Sequence, residues 1–205
     1  MVDGTHRIAR SLVACLTALS LSACLSVPRG SGLGKPSGLR RPVDRMAWID
    51  HVKISDFSVD EKNVVENSLT INLLEYTREG NYFRAVNLLP GELGDDSVVL
   101  HFEFQSYEQK RSVHPAYFPL ALLTLTLYIW FGGPIGVDST RFFATLLVED
   151  REGRTLAEAR AEKSERHNVS FWSPDYALPS GIEGRTATVK DLLDQCHRQF
   201  LEKES

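Results

Sequence analysis

Ser112–Val137 is a run of 26 residues without a single Asp, Glu, Lys or Arg. Such a run has to be sheltered from water by a core, by a partner or by lipid. Its centre, Leu120–Phe131, reads LALLTLTLYIWF. A continuous helix from Tyr117 to Val137, rising about 1.5 Å per residue, would just cross a hydrocarbon core of roughly 30 Å. Tyr117 and Phe118 at one end, with Tyr128, Trp130 and Phe131 at the other, suit an interfacial aromatic belt. Pro119 and the Gly132-Gly133-Pro134 break work against an unbroken helix. The uninterrupted apolar centre, about a dozen residues, has the length of a buried helix or a re-entrant segment, and Thr124-Leu125-Thr126-Leu127 alternates as a strand would. Four placements follow: a buried core element, a membrane-dipping hairpin or helix, a partner-binding surface, or a β-hairpin contributed to an oligomeric barrel. The candidate membrane or ligand contacts are Leu120, Leu123, Leu127, Trp130 and Phe131, and a lipid-binding variant has Leu120, Leu123 and Leu127 lining a pocket.

Around this run the patterning is that of a mixed domain. Met46–Phe57 alternates roughly and predicts a strand. Ser58 and Glu61 have capping-box spacing, Val65, Leu69, Leu73 and Tyr76 recur every three or four residues, and Gly80 is placed to end that helix. Tyr82–Leu89 predicts a second strand closed by Pro90-Gly91. Ser97–Gln105 is the clearest strand, with Val98, Leu100, Phe102 and Phe104 on one side and Val99, His101, Glu103 and Gln105 on the other. Arg141–Val148 predicts another, turning through Asp150-Arg151-Glu152-Gly153 into Arg154–Lys163. There Thr155–Glu162 has helical composition, while the turn and the alternation of small with charged residues favour a strand. The rings of Phe171, Trp172 and Tyr176 either cap the core or touch a membrane interface, and capping is the expectation. A final helix over Glu183–Lys203 turns Val189, Leu192, Cys196 and Phe200 inward. Together these predict an α+β sandwich, a mostly antiparallel sheet with helices on one face.

The amino terminus carries a different signal. Arg7 and Arg10 precede an uncharged Leu- and Ala-rich run, Ser11–Leu21, too short to span a bilayer as a mature helix. It ends in Leu21-Ser22-Ala23-Cys24, which resembles the lipobox of bacterial lipoproteins. That resemblance implies cleavage before Cys24, a diacylglycerol on its thiol and an acylated amino group; two or three acyl chains, at about 0.8 kcal/mol per buried CH2, hold a protein to a membrane durably. The expected organisation is a signal peptide over 1–23, lipidated Cys24 with a flexible Gly/Pro/Arg-rich tether over 24–45, and one α/β domain over 46–205 containing the apolar segment at about 112–137. With Cys15 removed and Cys24 acylated, Cys196 is alone and no intrachain disulfide can form. Leu25 follows the lipidated cysteine in place of an inner-membrane-retaining Asp, so the expected location is the periplasmic face of an outer membrane.

Charge and motifs narrow the function. Leu25–Arg45 has a net charge of +4, whereas Met46–Ser205 has 16 basic and 25 acidic residues, which argues against nucleic acid as a partner. Gly30–Lys35 imitates a phosphate loop, but Pro36 stands where Ser or Thr is required and no strand precedes it. His51, His101, His114, His167 and His197 are scattered. Adjacent Cys196 and His197 point about 100° apart on a helix. His101-Phe102-Glu103 opens like a zinc-deaminase signature without the Pro-Cys-x-x-Cys half. Asp95-Asp96 reads as a solvated turn. No catalytic residue, metal or cofactor is expected beyond the lipid on Cys24. The order of elements, with Gly80–Val86 joining the first helix to the next strand, resembles the small periplasmic domains of envelope assembly and secretion lipoproteins. The expected function is a non-enzymatic accessory or structural subunit of an envelope assembly or transport system, with membrane lipid and an envelope protein as partners. Alternatives are a binding protein for lipid or a small apolar ligand, and a periplasmic hydrolase built from distant residues.

Overall fold

The computed structural model describes residues 32–38, 41–55, 59–124, 127–173, 176 and 181–204. Cys24 and the lipobox residues Leu21, Ser22 and Ala23 lie outside them. The elements in order are β1 (Val43–Ile49), β2 (Lys53–Ile54), α1 (Val59–Glu79), β3 (Phe83–Leu88), β4 (Ser97–Val113), α2 (Tyr117–Leu123), α3 (Leu127–Trp130), β5 (Pro134–Asp150), β6 (Thr155–Ser170) and α4 (Ile182–Glu204). This is the α+β class read from the sequence.

The strands form one six-stranded sheet in the order β3-β1-β4-β5-β6, with β2 also on β4. β1 is parallel to both neighbours, placing Ile49 beside Leu88 on one side and Leu100 on the other, and β2 sets Ile54 beside Phe104. β4, β5 and β6 run antiparallel. Gln105 reaches Thr145 and His101 reaches Glu149, so β5 descends as β4 rises, while the β5–β6 turn closes with the Asp150 and Gly153 amides on Arg154 O and Asp150 O. The strand expected over Met46–Phe57 is interrupted after Ile49, where the Asp50 amide bonds to Leu100 O.

Within the described residues the chain falls into two compact units, one of 32–109, 139–165 and 181–204, the other of 110–138 and 166–176. The first contains the main core. Val65, Leu69, Leu73 and Tyr76 of α1, with Val189, Leu192, Leu193, Cys196 and Phe200 of α4, meet Val98, Leu100, Phe102 and Phe104 of β4 and the alternate residues Phe142, Ala144, Leu146 and Val148 of β5. In β6 the inward residues are Ala157, Ala159 and Ala161. This explains why a helix-rich composition forms a strand: period-two placement of three alanines buries a small-residue face, which a helix over the same residues would scatter. α4 also covers the outer edge of β6. Gln199 donates Nε2 to Glu158 O (2.8 Å) and accepts the Glu158 amide (3.3 Å), Gln195 donates to Arg160 O and Lys203 to Leu156 O. On β3, Arg78 Nε donates to Val86 O at 2.7 Å.

Part of the stretch expected to be tether is held against the fold. Gly32 O accepts from Nε and Nη2 of Arg185 at 3.1 and 3.0 Å, and the Gly34 amide donates to Thr186 Oγ1 at 2.8 Å. Arg185 is buried, with its guanidinium over the rings of Tyr107 and Phe142, which meet edge to face. Burial lowers its pKa from the ordinary arginine value and pushes the Tyr107 phenol up to about 12.

Candidate membrane-contact site

The second unit comprises residues 110–113 of β4, 134–138 of β5 and 166–170 of β6 and carries the charge-free run. Its framework is the pair Arg111–Asp138, in which Nε and Nη2 donate to the two carboxylate oxygens at 2.6 and 2.8 Å, while Nη1 donates to Tyr176 O at 2.8 Å. Such a two-pronged geometry, with Asp138 buried, fixes β4 against β5 at the point where the apolar run begins. The run then forms neither a spanning helix nor a core element. It folds into two short helices, α2 and α3, separated at Thr124, and neither contains a buried residue. No helix among the described residues is long and apolar enough to cross a membrane.

Hydrogen bonds within the run tie the described parts of this hairpin together. Thr124 is the pin: its amide and hydroxyl both donate to Leu120 O, and its Oγ1 accepts the Tyr128 amide at 3.0 Å. The Phe131 amide returns to Leu127 O, and Gly133 N to Tyr128 O. Gly132 has a φ of 81°, and a Cβ at Gly133 would lie 2.4 Å from the Tyr128 ring; two glycines are therefore needed where the chain leaves α3.

With polar groups turned inward, the apolar side chains face out. Phe131 is 86% exposed, Leu123 80%, Leu122 78% and Trp130 68%, and Leu127 and Phe118 are exposed too. Of the five contacts named from sequence, Leu123, Leu127, Trp130 and Phe131 lie at the surface and Leu120 is half-buried. The expectation of a buried core element is overturned by these exposures, for a physical reason: an 11-residue helical pair is too small to bury both its faces. The expected capping role of the aromatic loop is corrected too. Phe171, Trp172 and Tyr176 are exposed, with the Trp172 ring 6.1 Å from that of Trp130 and edge-on to Phe171 at 5.2 Å, and Tyr176 tilted against Phe171 at 5.1 Å. Ser173 holds this loop through hydrogen bonds to Ser170. Hairpin and loop thus present one apolar surface. The alternation of Leu and Thr hid this outcome in the sequence, because composition does not tell inside from outside.

At the foot of the hairpin is a cleft of about 410 Å3 lined by Arg111, Ser112, Val113, Tyr117, Ile135, Gly136, Val169 and Tyr176. Leu120, Leu123 and Leu127, expected to line a lipid pocket, do not line it. Charge is divided unevenly along the chain. Residues 110–138 and 166–178 have three basic and two acidic residues, whereas the rest of Met46–Ser205 has 13 basic and 23 acidic.

The first unit carries a polar groove of about 750 Å3 on the sheet face opposite the buried one. His101 sits in it with Nδ1 3.0 Å from Asp50 and Nε2 3.3 Å from Glu149. Glu103, on the same strand face as expected, accepts from Ser55 Oγ at 2.7 Å. Both nitrogens of His101 are therefore engaged by carboxylates. Cys196, packed in the core, has its thiol pushed up to about 12 by burial. His197 beside it turns its Nε2 to Arg41 O instead. Among the described residues no group of three His, Cys, Asp or Glu side chains is arranged so as to hold a metal ion.

No protein-family profile and no curated protein matches the chain. Solved structures do. A Xanthomonas campestris protein of the family DUF330 is similar with a TM-score of 0.52 at 8% identity, over 85% of this chain and 96% of that one. A minor lipoprotein from Acinetobacter baumannii is similar with a TM-score of 0.35 at 14% identity, over 79% and 94%. Lipoprotein GNA1162 from Neisseria meningitidis is similar with a TM-score of 0.34 at 12% identity, over 61% and 84%. At 8% identity the first likeness is one of fold.

Proposed function

We propose that this chain is a bacterial envelope lipoprotein, anchored through Cys24 at the periplasmic face of an outer membrane. It acts without catalysis as an accessory or structural subunit, and the α2–α3 hairpin with the 171–176 loop is a second, interfacial contact with lipid. The observation that carries the reading is the exposed apolar surface formed by Leu122, Leu123, Leu127, Trp130, Phe131, Phe171 and Trp172. Lipid suits this surface because indole and phenol rings favour the headgroup level. The near-neutral charge of this unit spares it the repulsion that the acidic remainder would meet at an anionic leaflet.

The test is to join a cleavable secretory signal lacking a lipobox to Leu25 and to fractionate cells. The unlipidated chain is expected to remain with membranes through a high-salt wash, since apolar insertion does not depend on ionic strength. Quantitative recovery as a soluble periplasmic monomer would overturn the second contact and leave the lipid as the sole anchor.

A further inference from the structure

We infer that the cleft at the foot of the hairpin holds a single uncharged acyl chain, a use that rests on the reading of the hairpin as a lipid contact. Its volume, about 410 Å3, falls in the roughly 300–1,000 Å3 range of small-ligand sites. The walls are the aliphatic and aromatic side chains of Val113, Tyr117, Ile135, Val169 and Tyr176, with Gly136 contributing no side chain. A Cβ at Gly136 would meet only ordinary contacts, 3.4 Å at the nearest, so crowding does not require the glycine, and its bareness widens the slot.

The single ion in the wall selects the ligand. Arg111 is held by both oxygens of Asp138 and by Tyr176 O. Arg111 lines the cleft with its charge balanced by the buried Asp138 behind it, so the wall offers no uncompensated charge to a carboxylate or phosphate and the headgroup is left in water. At roughly 30 Å3 per heavy-atom group, comparable to a water molecule, the cleft takes about a dozen carbons. Tyr117 opens α2 and Ile135 follows α3, so the cleft adjoins both ends of the hairpin. A bilayer lipid and the diacylglycerol on Cys24 share this chemistry.

The experiment titrates the unlipidated mature chain, 13C-labelled at methyl groups, with octyl, decyl, dodecyl and tetradecyl maltoside below their micelle concentrations. The methyls of Val113, Ile135 and Val169 are expected to shift. Affinity should rise about fourfold per added methylene, from about 0.8 kcal/mol each, and level off near dodecyl as the cleft fills. Immobile cleft methyls overturn the inference, as does affinity that climbs through tetradecyl with shifts confined to Leu122, Leu123 and Leu127. Val169→Trp should abolish maltoside binding and keep vesicle binding; should that variant not fold, the methyl map of the parent decides. The double variant Leu123→Ser/Phe131→Ser should do the reverse, so failure of the cleft and failure of the membrane contact are read separately. Repeating the titration on the lipidated protein separates the sources: weakened maltoside binding marks the lipid on Cys24 as occupant, and unchanged binding marks a bilayer lipid.

Discussion

If the hairpin enters lipid, the double variant Leu123→Ser/Phe131→Ser should lose most of its affinity for vesicles while folding normally. Burying a Leu or Phe side chain fully is worth about 1.5–3 kcal/mol. With 80% of Leu123 and 86% of Phe131 exposed to water, nearly all of that transfer remains to be gained on a membrane. The pair then amounts to about 3–4 kcal/mol, and at about 1.4 kcal/mol per factor of ten the partition coefficient falls by a hundredfold or more. Folding stability should change by less than about 0.5 kcal/mol, because neither side chain is packed in the fold. Vesicle co-sedimentation of the unlipidated chain measures the first quantity, and urea unfolding measures the second. Trp130 and Trp172 lie in the patch, so a blue shift of their fluorescence on adding vesicles reports entry directly. Partitioning within threefold of the parent, with the fold intact, would refute the reasoning. A stability loss above 2 kcal/mol would refute it differently, by showing that these residues are packed in solution.

Two further predictions concern the first unit. The neutral forms of Tyr107 and Cys196 are enforced by burial, each with a pKa raised to about 12. Because the unfolded chain releases these protons first, stability is full below about pH 9 and falls as pH rises from there towards 12, by up to about 1.4 kcal/mol per pH unit for each group. Urea midpoints measured from pH 8 to 11.5 should show this decline, with the onset moved upward in Cys196→Ala; a flat profile contradicts the burial of both groups. Gly91→Ala should cost about 1–3 kcal/mol, since its Cβ would lie 2.0 Å from the Trp48 ring. A thermal midpoint equal to the parent's would show that Trp48 moves aside freely.

The elements with one wet and one dry face were legible in the sequence. Val98, Leu100, Phe102 and Phe104 announce β4, and the stripes Val65-Leu69-Leu73-Tyr76 and Val189-Leu192-Cys196-Phe200 announce α1 and α4, because periodicity records which side is buried. Pairing was less legible. Nothing in Ala47-Trp48-Ile49 says that these residues lie parallel to both Ala85–Leu88 and Ser97–Leu100, since register depends on contacts distant in sequence. β6 carries a local preference for helix that three buried alanines override. The site was half visible: Leu123, Leu127, Trp130 and Phe131 stood out by composition, but their exposure follows from the turn at Thr124 and the break at Gly132-Gly133. The pocket expected in the Ser112–Val137 segment had the wrong lining, because Val113, Ile135 and Val169 come from the ends of three strands and the charge of Arg111 is balanced only once Asp138 is paired with it.

The side chains of α4 laid along β6 have a consequence for assembly. Gln195, Gln199 and Lys203 occupy the outward backbone groups of Leu156, Glu158 and Arg160, the groups through which a foreign strand would zip onto a sheet. Recruitment by strand addition is closed along that margin. A partner, or another copy of the chain, has to be met there through side chains, whose fit can be exacting, rather than through the indiscriminate grammar of the peptide backbone.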